Sequence, residues 1–285
     1  MTYVHTRALV ASAAASGSAV FAFNVITLEH AEAIVAGAER AGSPAILQVS
    51  ENAVRFHGER LAPLLTACHQ LAIDAATPIA VHLDHFTDEA LIRRAITLSR
   101  DVGVTSIMID AAALDYADNE STTAALTAVA HDAGLWVEAE LGEIGGKDGA
   151  HAPGVRTDPD DAAAFARATR VDGLAVAVGS SHAMTSRDAV IDLDLVERLA
   201  AAVPVPLVLH GSSGVSDALI RAAIGAGIRK VNVGTALNLA FTSEVRRFLD
   251  GDASASDPRK YLDGARDAIA DRVAHLCSLV TDQPA

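Results

Sequence analysis

Short, nearly continuous apolar runs alternate along this chain with longer segments whose apolar positions recur at helical spacing. The runs predict strands at Val20–Val25, Ala45–Val49, Ile79–Leu83, Ser106–Asp110, Trp136–Leu141, Leu174–Val178, Leu207–His210 and Lys230–Val233. The scarcity of polar positions within them is what a parallel strand covered on both faces requires. The longer segments predict helices, among them Leu28–Ala41, Asp88–Val102, Asn119–Ala133, Asp158–Arg170 and Ser216–Gly225. Thr87 and Ser216 stand where helices should start, and Gly103, Gly134 and Gly227 where they should stop. Repeated strand-then-helix units with no linker or compositional break predict an α/β fold. It is a single (β/α)8 TIM barrel domain spanning residues 1–285, with Pro258–Leu279 as an additional C-terminal helical tail. An open doubly wound sheet would carry a Gly-rich phosphate loop after its first strand, and here that position reads Phe23-Asn24-Val25.

The polar residues sharpen this picture. Asn24, Ser50, Asp84, His85, Asp110, Glu140, Ser180, Ser181, His182, His210 and Asn232 all fall at or just past the carboxyl end of a predicted strand. In a barrel those ends converge on one face, and that face carries the active site. His85, His182 and His210 end different strands, and three imidazoles with an open position suit a catalytic zinc or similar divalent ion. Asp84 adjoins one of these ligands, where a carboxylate can orient the site or act as general acid/base. Asp110 and Glu140 are candidates for a second metal position or for buried hydrogen-bond acceptors. Strand alternation puts His82 on the same side as Asp84, away from His85, and predicts a structural or supporting role for it. Two further loops have the composition of anion sites: His210-Gly211-Ser212-Ser213-Gly214 and Asn232-Val233-Gly234-Thr235, each leading into a helix. Loops after the seventh and eighth strands are the recurrent phosphate site of barrels.

Composition narrows the partners. The net charge is −14, which disfavours nucleic acid and anionic membrane surfaces while leaving room for a small anionic substrate drawn to a metal. No apolar run reaches the ~20 residues needed to cross a bilayer. The Ala- and Ser-rich segment Arg7–Phe23 reads as a helix packed under the first strand rather than a signal peptide. Only two cysteines are present, Cys68 and Cys277, both in helical stretches, which points to a reducing, cytoplasmic setting.

Together these residues resemble the class II fructose-bisphosphate aldolase family, including its tagatose-bisphosphate members, along nearly the whole chain. The resemblance rests on Ala22-Phe23-Asn24-Val25, Ser43 to Ser50, His82-Leu83-Asp84-His85, Val137 to Gly142 with Gly145-Gly146, Val208 to Gly214, Lys230 to Val233 and Asp257 to Tyr261. It implies zinc or another divalent ion on His85, His182 and His210, Asp84 as the proton donor/acceptor at the C4 oxygen, and Asp110 and Glu140 at a second, more buried metal position. It implies contacts to the dihydroxyacetone phosphate half from Asn24, Ser50, Gly211, Ser212, Ser213, Asn232, Val233, Gly234 and Thr235. Arg259 matches a residue that reaches the distal phosphate across a subunit interface, which implies a homodimer or homotetramer. A monovalent cation is a further implied partner. The expected reaction is aldol cleavage of fructose or tagatose 1,6-bisphosphate to dihydroxyacetone phosphate and an aldehyde such as glyceraldehyde 3-phosphate.

The chain departs from the family pattern at two points. The loop after Gly146 reads Lys147-Asp148-Gly149, so Asp148 or Glu143 would move the C3 proton, and Ala183 replaces the glycine that usually follows His182 in the substrate site. The altered loop motivates an alternative, a metal-binding barrel that has lost the reaction and serves a partner enzyme. A Schiff-base mechanism is disfavoured: of the chain's lysines, Lys147 falls in a loop, Lys260 in the tail and Lys230 at the amino end of the eighth strand.

Overall fold

The computed structural model describes residues 2–141, 156–180 and 189–281. Eight parallel strands close on themselves in sequence order: β1 Val20–Asn24, β2 Ala45–Ser50, β3 Ile79–Phe86, β4 Ser106–Ile109, β5 Trp136–Glu140, β6 Gly173–Ala175, β7 Leu207–Leu209 and β8 Ile228–Val233. The helices are α1 Thr6–Ala15, α2 Leu28–Ala41, α3 Glu51–Phe56, α4 Leu61–Asp74, α5 Glu89–Leu98, α6 Tyr116–Asp132, α7 Pro159–Thr169, α8 Leu193–Ala202, α9 Asp217–Ala226, α10 Thr235–Gly251 and α11 Pro258–Thr281. The predicted (β/α)8 barrel with a helical tail is therefore the fold.

Alternation along each strand builds two cores. Phe21, Phe23, Leu47, Val81, Leu83, Phe86, Ile107 and Val137 face the helices in one continuous layer. Full burial of such side chains contributes about 1.5–3 kcal/mol apiece. The opposite positions fill the barrel. Val20, Ala22, Ile46, Ala80 and Trp136 pack with Leu9 and Val10 of α1, so the N-terminal helix seals the floor beneath the first strand, as its sequence suggested. Thr6 of α1 adds hydrogen bonds to Thr105 and Ser106 at the foot of β4.

The tail docks against α2. Gly37 permits the close approach: a Cβ there would lie 2.5 Å from the Ala270 carbonyl oxygen and 2.6 Å from Val273 Cβ. Ion pairs from Arg40 to Asp271 and from Arg266 to Glu32 flank the seam. They are solvent-exposed and contribute little beside the apolar contact.

Several strand ends differ from the sequence reading, for physical reasons. The apolar run at Leu174–Val178 stays buried throughout, but strand pairing covers only Gly173–Ala175. β8 begins two residues before its predicted start, so Lys230 is not at the amino end of the strand. It is an interior position whose side chain is enclosed in the barrel. Its amine is bound by Glu138 and Asn232 and is not a free nucleophile.

Candidate metal centre and active site

β3 carries two of the sequence-selected residues, Asp84 and His85. Regular alternation would place Asp84 inside and His85 outside, yet both reach the site. The pairing of β3 with β4 shows how: Leu83 pairs with Ile107 and Phe86 with Ile109, so β3 uses one residue more than its neighbour. The extra residue is a β-bulge, and His85 sits there in the left-handed region at φ 51°. Asp84 stays inward, Phe86 returns to the helix-facing layer, and the His85 ring swings to the cavity. Glu51 secures the turn that follows, accepting hydrogen bonds from the Thr87 and Asp88 amides at 2.7 and 2.9 Å.

His85 Nε2 and His210 Nδ1 face each other 3.1 Å apart, and a Glu140 oxygen lies 3.9 Å from the same His210 nitrogen. These three side chains form the one cluster of potential metal ligands found among the described residues. The far nitrogen of each ring has a carboxylate: His85 Nδ1–H donates to Asp110 Oδ2 at 2.7 Å, and His210 Nε2–H donates to Glu138 Oε1 at 2.8 Å. With the ring protons drawn outward, the inner nitrogens and a carboxylate converge on one point. A cation shared between them would suit that convergence. Ligand atoms about 2.0–2.1 Å from a common zinc in tetrahedral array stand roughly 3.3–3.4 Å apart, close to the observed separation. Carboxylates behind metal-binding histidines are the usual means of fixing their tautomers. The donor set fits a divalent ion.

Asp84 is 3% exposed, and its carboxylate lies between two amides. Asn24 Nδ2 donates to Oδ2 at 2.9 Å and Asn232 Nδ2 to Oδ1 at 3.4 Å. Burial alone would raise its pKa. Positive charge at the His85 and His210 positions, of the sign an ion held there would supply, together with Lys230 and the Asn24 amide outweighs that and lowers the carboxyl from its ordinary value. Asp84 is therefore an acceptor facing the cavity, the state a base requires.

That cavity has a volume of about 250 Å3 and is lined by Asn24, Gln48, Ser50, Asp84, His85, Gly211, Ser212, Ser213, Asn232, Gly234 and Thr235, among others. Ser212 Oγ donates to the Asn232 carbonyl at 2.6 Å, and the Ala236 amide donates to Ser213 Oγ at 3.0 Å, so the loops after β7 and β8 are knitted together. A larger open groove of about 970 Å3 runs along the outer face of α10, past Leu239, Ser243 and Arg246, with no carboxylate–histidine grouping.

Most of the sequence-selected residues thus meet at one rim. Asp110 stands behind His85. Val233 is 1% exposed and belongs to the helix-facing layer, so only its backbone is available to the site. Arg259 is not brought to the cavity: its side chain is 89% exposed and paired with Asp257 at the start of α11. Glu143, Asp148, His182 and Ala183 lie outside the described residues.

Sequence reading passed over an inner polar layer. Gln48, Glu138 and Lys230 are, like His82, fully buried inside the barrel. Each lies two residues before a selected site residue, and that spacing was the available signal. His82 Nδ1 is 2.8 Å from Ser106 Oγ, while Nε2 has no hydrogen-bond partner among the described residues. Burial first, then the positive field of Lys230, pushes its pKa well below 6.5. Between 6.5 and that lower value the unfolded chain binds a proton that the folded chain does not. Stability should therefore fall as pH drops below 6.5, by up to about 1.4 kcal/mol per pH unit from this group. Denaturant unfolding of wild type and His82→Asn at about pH 7 and about pH 5.5 should show a shallower loss in the variant. Equal losses would remove His82 as the source.

The chain's relatives can now be set beside this geometry. The family model described as "Fructose-bisphosphate aldolase class-II" matches residues 4–283. The chain belongs to the class II fructose-bisphosphate aldolase family. It is 37% identical to a fructose-bisphosphate aldolase of Thermus caldophilus over 292 aligned positions, covering 93% of each protein. Among solved structures, it superimposes on the YdjI aldolase of Escherichia coli K12 with a TM-score of 0.84 at 32% identity, covering 98% of this chain and 97% of that one. A fructose-bisphosphate aldolase of Campylobacter jejuni shares the fold, with a TM-score of 0.82 at 20% identity over 98% of this chain and 95% of the other. Class II aldolases are metal-dependent lyases acting on phosphorylated sugars, and the histidine–carboxylate cluster occupies the barrel rim where such chemistry belongs.

Proposed function

We propose that this class II aldolase reversibly cleaves fructose 1,6-bisphosphate or tagatose 1,6-bisphosphate between C3 and C4, using zinc or another divalent ion held by His85, His210 and His182. The observation that carries this reading is the buried Asp84 carboxylate, held by the Asn24 and Asn232 amides and facing the cavity beside the converging nitrogens of His85 and His210. When bound, the ion supplies Lewis-acid stabilisation to charge developing on the C2 carbonyl and C3 hydroxyl oxygens. Asp84 accepts the C4 hydroxyl proton as the C3–C4 bond breaks. The bonding pair moves to C3 and into the C2 carbonyl, and the C4 carbon leaves as the aldehyde. Asp148 or Glu143 would then return a proton to C3. In condensation Asp84 gives its proton back to the aldehyde oxygen.

Asp110 and Glu138 keep the imidazoles in the required tautomers. Glu140 stands close enough to join the ligand set or to hold the ion in a more buried position. The loops after β7 and β8 and the N-terminus of the 17-residue helix α10 suit the phosphate of the dihydroxyacetone half. A monovalent cation near that phosphate is part of the family expectation.

Arg259, extended into solvent and away from its own cavity, suits a role at the distal phosphate of a neighbouring copy in a homodimer or homotetramer. Arg259→Ala should raise KM for bisphosphates by about tenfold or more, the scale of a lost charged hydrogen bond, and alter KM for monophosphates little. Equal effects on the two would refute the assignment. The buried Cys68 and Cys277 thiols are free, with burial pushing both up to about 12, and such inert thiols fit the reducing cytoplasm. Among the described residues no helix is long and apolar enough to cross a membrane.

Cleavage of both bisphosphates by the zinc-supplemented protein, with a chelator control, tests the proposal. Activity that survives chelation while borohydride traps the substrate would overturn it.

A further inference from the structure

The groups that reach the cavity rest on the inner layer of buried polar side chains, and Lys230 stands at its junction. Lys230 Nζ donates to Glu138 Oε2 at 2.8 Å and to Asn232 Oδ1 at 2.7 Å. The remaining carboxylate oxygen, Glu138 Oε1, accepts from His210 Nε2–H at 2.8 Å. The remaining amide atom, Asn232 Nδ2, faces Asp84 Oδ1 at 3.4 Å. One fully buried cation thus touches, through a single intermediary each, the metal-binding imidazole and the acid/base carboxylate.

We propose that Lys230 is a positioning residue that sets the orientation of both. This inference rests on the aldolase reading of the site. A lysine ammonium has donors and no acceptor, so only the oxygen of the Asn232 amide can face it. The amide N–H groups must then point away, toward Asp84 and His210. An amide flip barely changes the shape of the side chain, so its hydrogen-bond partners decide its orientation. Asn232 Nδ2 also lies 3.0 Å from His210 Nε2 and, with its oxygen committed to Lys230, offers only a donor there, which competes with a proton on Nε2. The Glu138 carboxylate, acceptor-only and charged at 2.8 Å, outweighs that neutral amide. Glu138 Oε1 is then the acceptor for the Nε2 proton, which leaves the Nδ1 lone pair directed at the ion. Asn24 repeats the device on the other oxygen of Asp84. Gln48 Nε2 donates to Asn24 Oδ1 at 2.8 Å and turns the Asn24 N–H groups toward the carboxylate.

A purely structural ion pair would behave differently. A buried pair replaced by neutral groups of similar size commonly keeps or gains stability. A neutral substitute has no means of choosing which atom of Asn232 faces Asp84, or which face of the amide at position 138 meets His210.

The test compares full-length, zinc-loaded wild type, Lys230→Met and Lys230→Met/Glu138→Gln by thermal unfolding, zinc retention against a competing chelator, and steady-state kinetics. The double variant should unfold close to the wild-type temperature. It should surrender zinc at a roughly 10–100-fold lower chelator concentration, the scale of losing an orienting partner. Its kcat should fall about tenfold or more, with KM little changed, because Asp84 acts on the bond-breaking step. A double variant that folds, holds zinc and turns over like wild type overturns the proposal. Should neither variant fold, a neutron crystal structure of the wild-type protein stripped of zinc decides. A deuteron on His210 Nε2 and the Asn232 amide nitrogen toward Asp84 are expected, and a deuteron on Nδ1 or the reverse amide orientation overturns it. A wild-type protein that cleaves no ketose bisphosphate would remove the aldolase reading, while zinc retention by the variants would still judge the hold of Lys230 on His210.

Discussion

Asp84→Ala is expected to lower turnover of the ketose bisphosphate by roughly three orders of magnitude or more, in the upper range for loss of a positioned acid/base, while the protein keeps its zinc. The two halves of this expectation come from different atoms. In the proposed site, metal retention would depend on His85 Nε2 and His210 Nδ1, whose supporting carboxylates are Asp110 and Glu138, and neither support passes through Asp84. Turnover would depend on a carboxylate able to take the C4 proton, and Asp84, whose pKa is lowered from its ordinary value, lines the cavity beside those nitrogens. Alanine leaves Asn24 and Asn232 with N–H groups aimed at a void that water can fill, so folding should survive. Single-turnover kinetics with parallel zinc analysis measure both halves. Unchanged turnover would remove Asp84 from the mechanism, and lost zinc would make it a ligand.

His210→Ala should abolish zinc binding and bring activity down to the metal-free background, a loss beyond the roughly 10–100-fold that follows removal of a supporting partner. His210 directly follows β7, is fully buried and joins three of the site's parts: the opposing His85 nitrogen, the Glu138 carboxylate and the Ser180 hydroxyl, which donates to its carbonyl at 2.6 Å. The truncation leaves Glu138 without its imidazole but still paired with Lys230, so part of the buried charge remains compensated. Chelated wild type is the control: it should match the variant in activity and recover on adding zinc, whereas the variant should not. Recovery of His210→Ala by excess zinc would mean that the remaining ligands hold the ion without it.

The barrel was legible because its strands are apolar on both faces and its helices are not, a contrast that survives errors of a residue or two at element ends. The rim was legible because polar residues cluster at the carboxyl ends of the apolar runs. Alternation could not foresee His85 beside Asp84, since a bulge leaves no mark in a single sequence beyond an unexpected pair of adjacent polar residues. The inner layer was hidden for the opposite reason. Glu138 and Lys230 lie within runs read as buried strand, and their compatibility with a core depends on each other across the barrel, between β5 and β8. Such pairing between distant segments becomes visible only once the sheet has closed. Arg259 was legible as a motif, but its solvent-facing position could not be read from spacing within one chain.

The bulge in β3 also bears on how such a site is acquired. Asp84 points inward and Phe86 outward, so deleting His85 alone would leave a strand of regular alternation whose every other side chain keeps its present side. The His85 imidazole behaves structurally as a single-residue insertion into an otherwise complete barrel. A side chain introduced this way displaces no core residue, and the fold beneath it need not be redesigned to receive it.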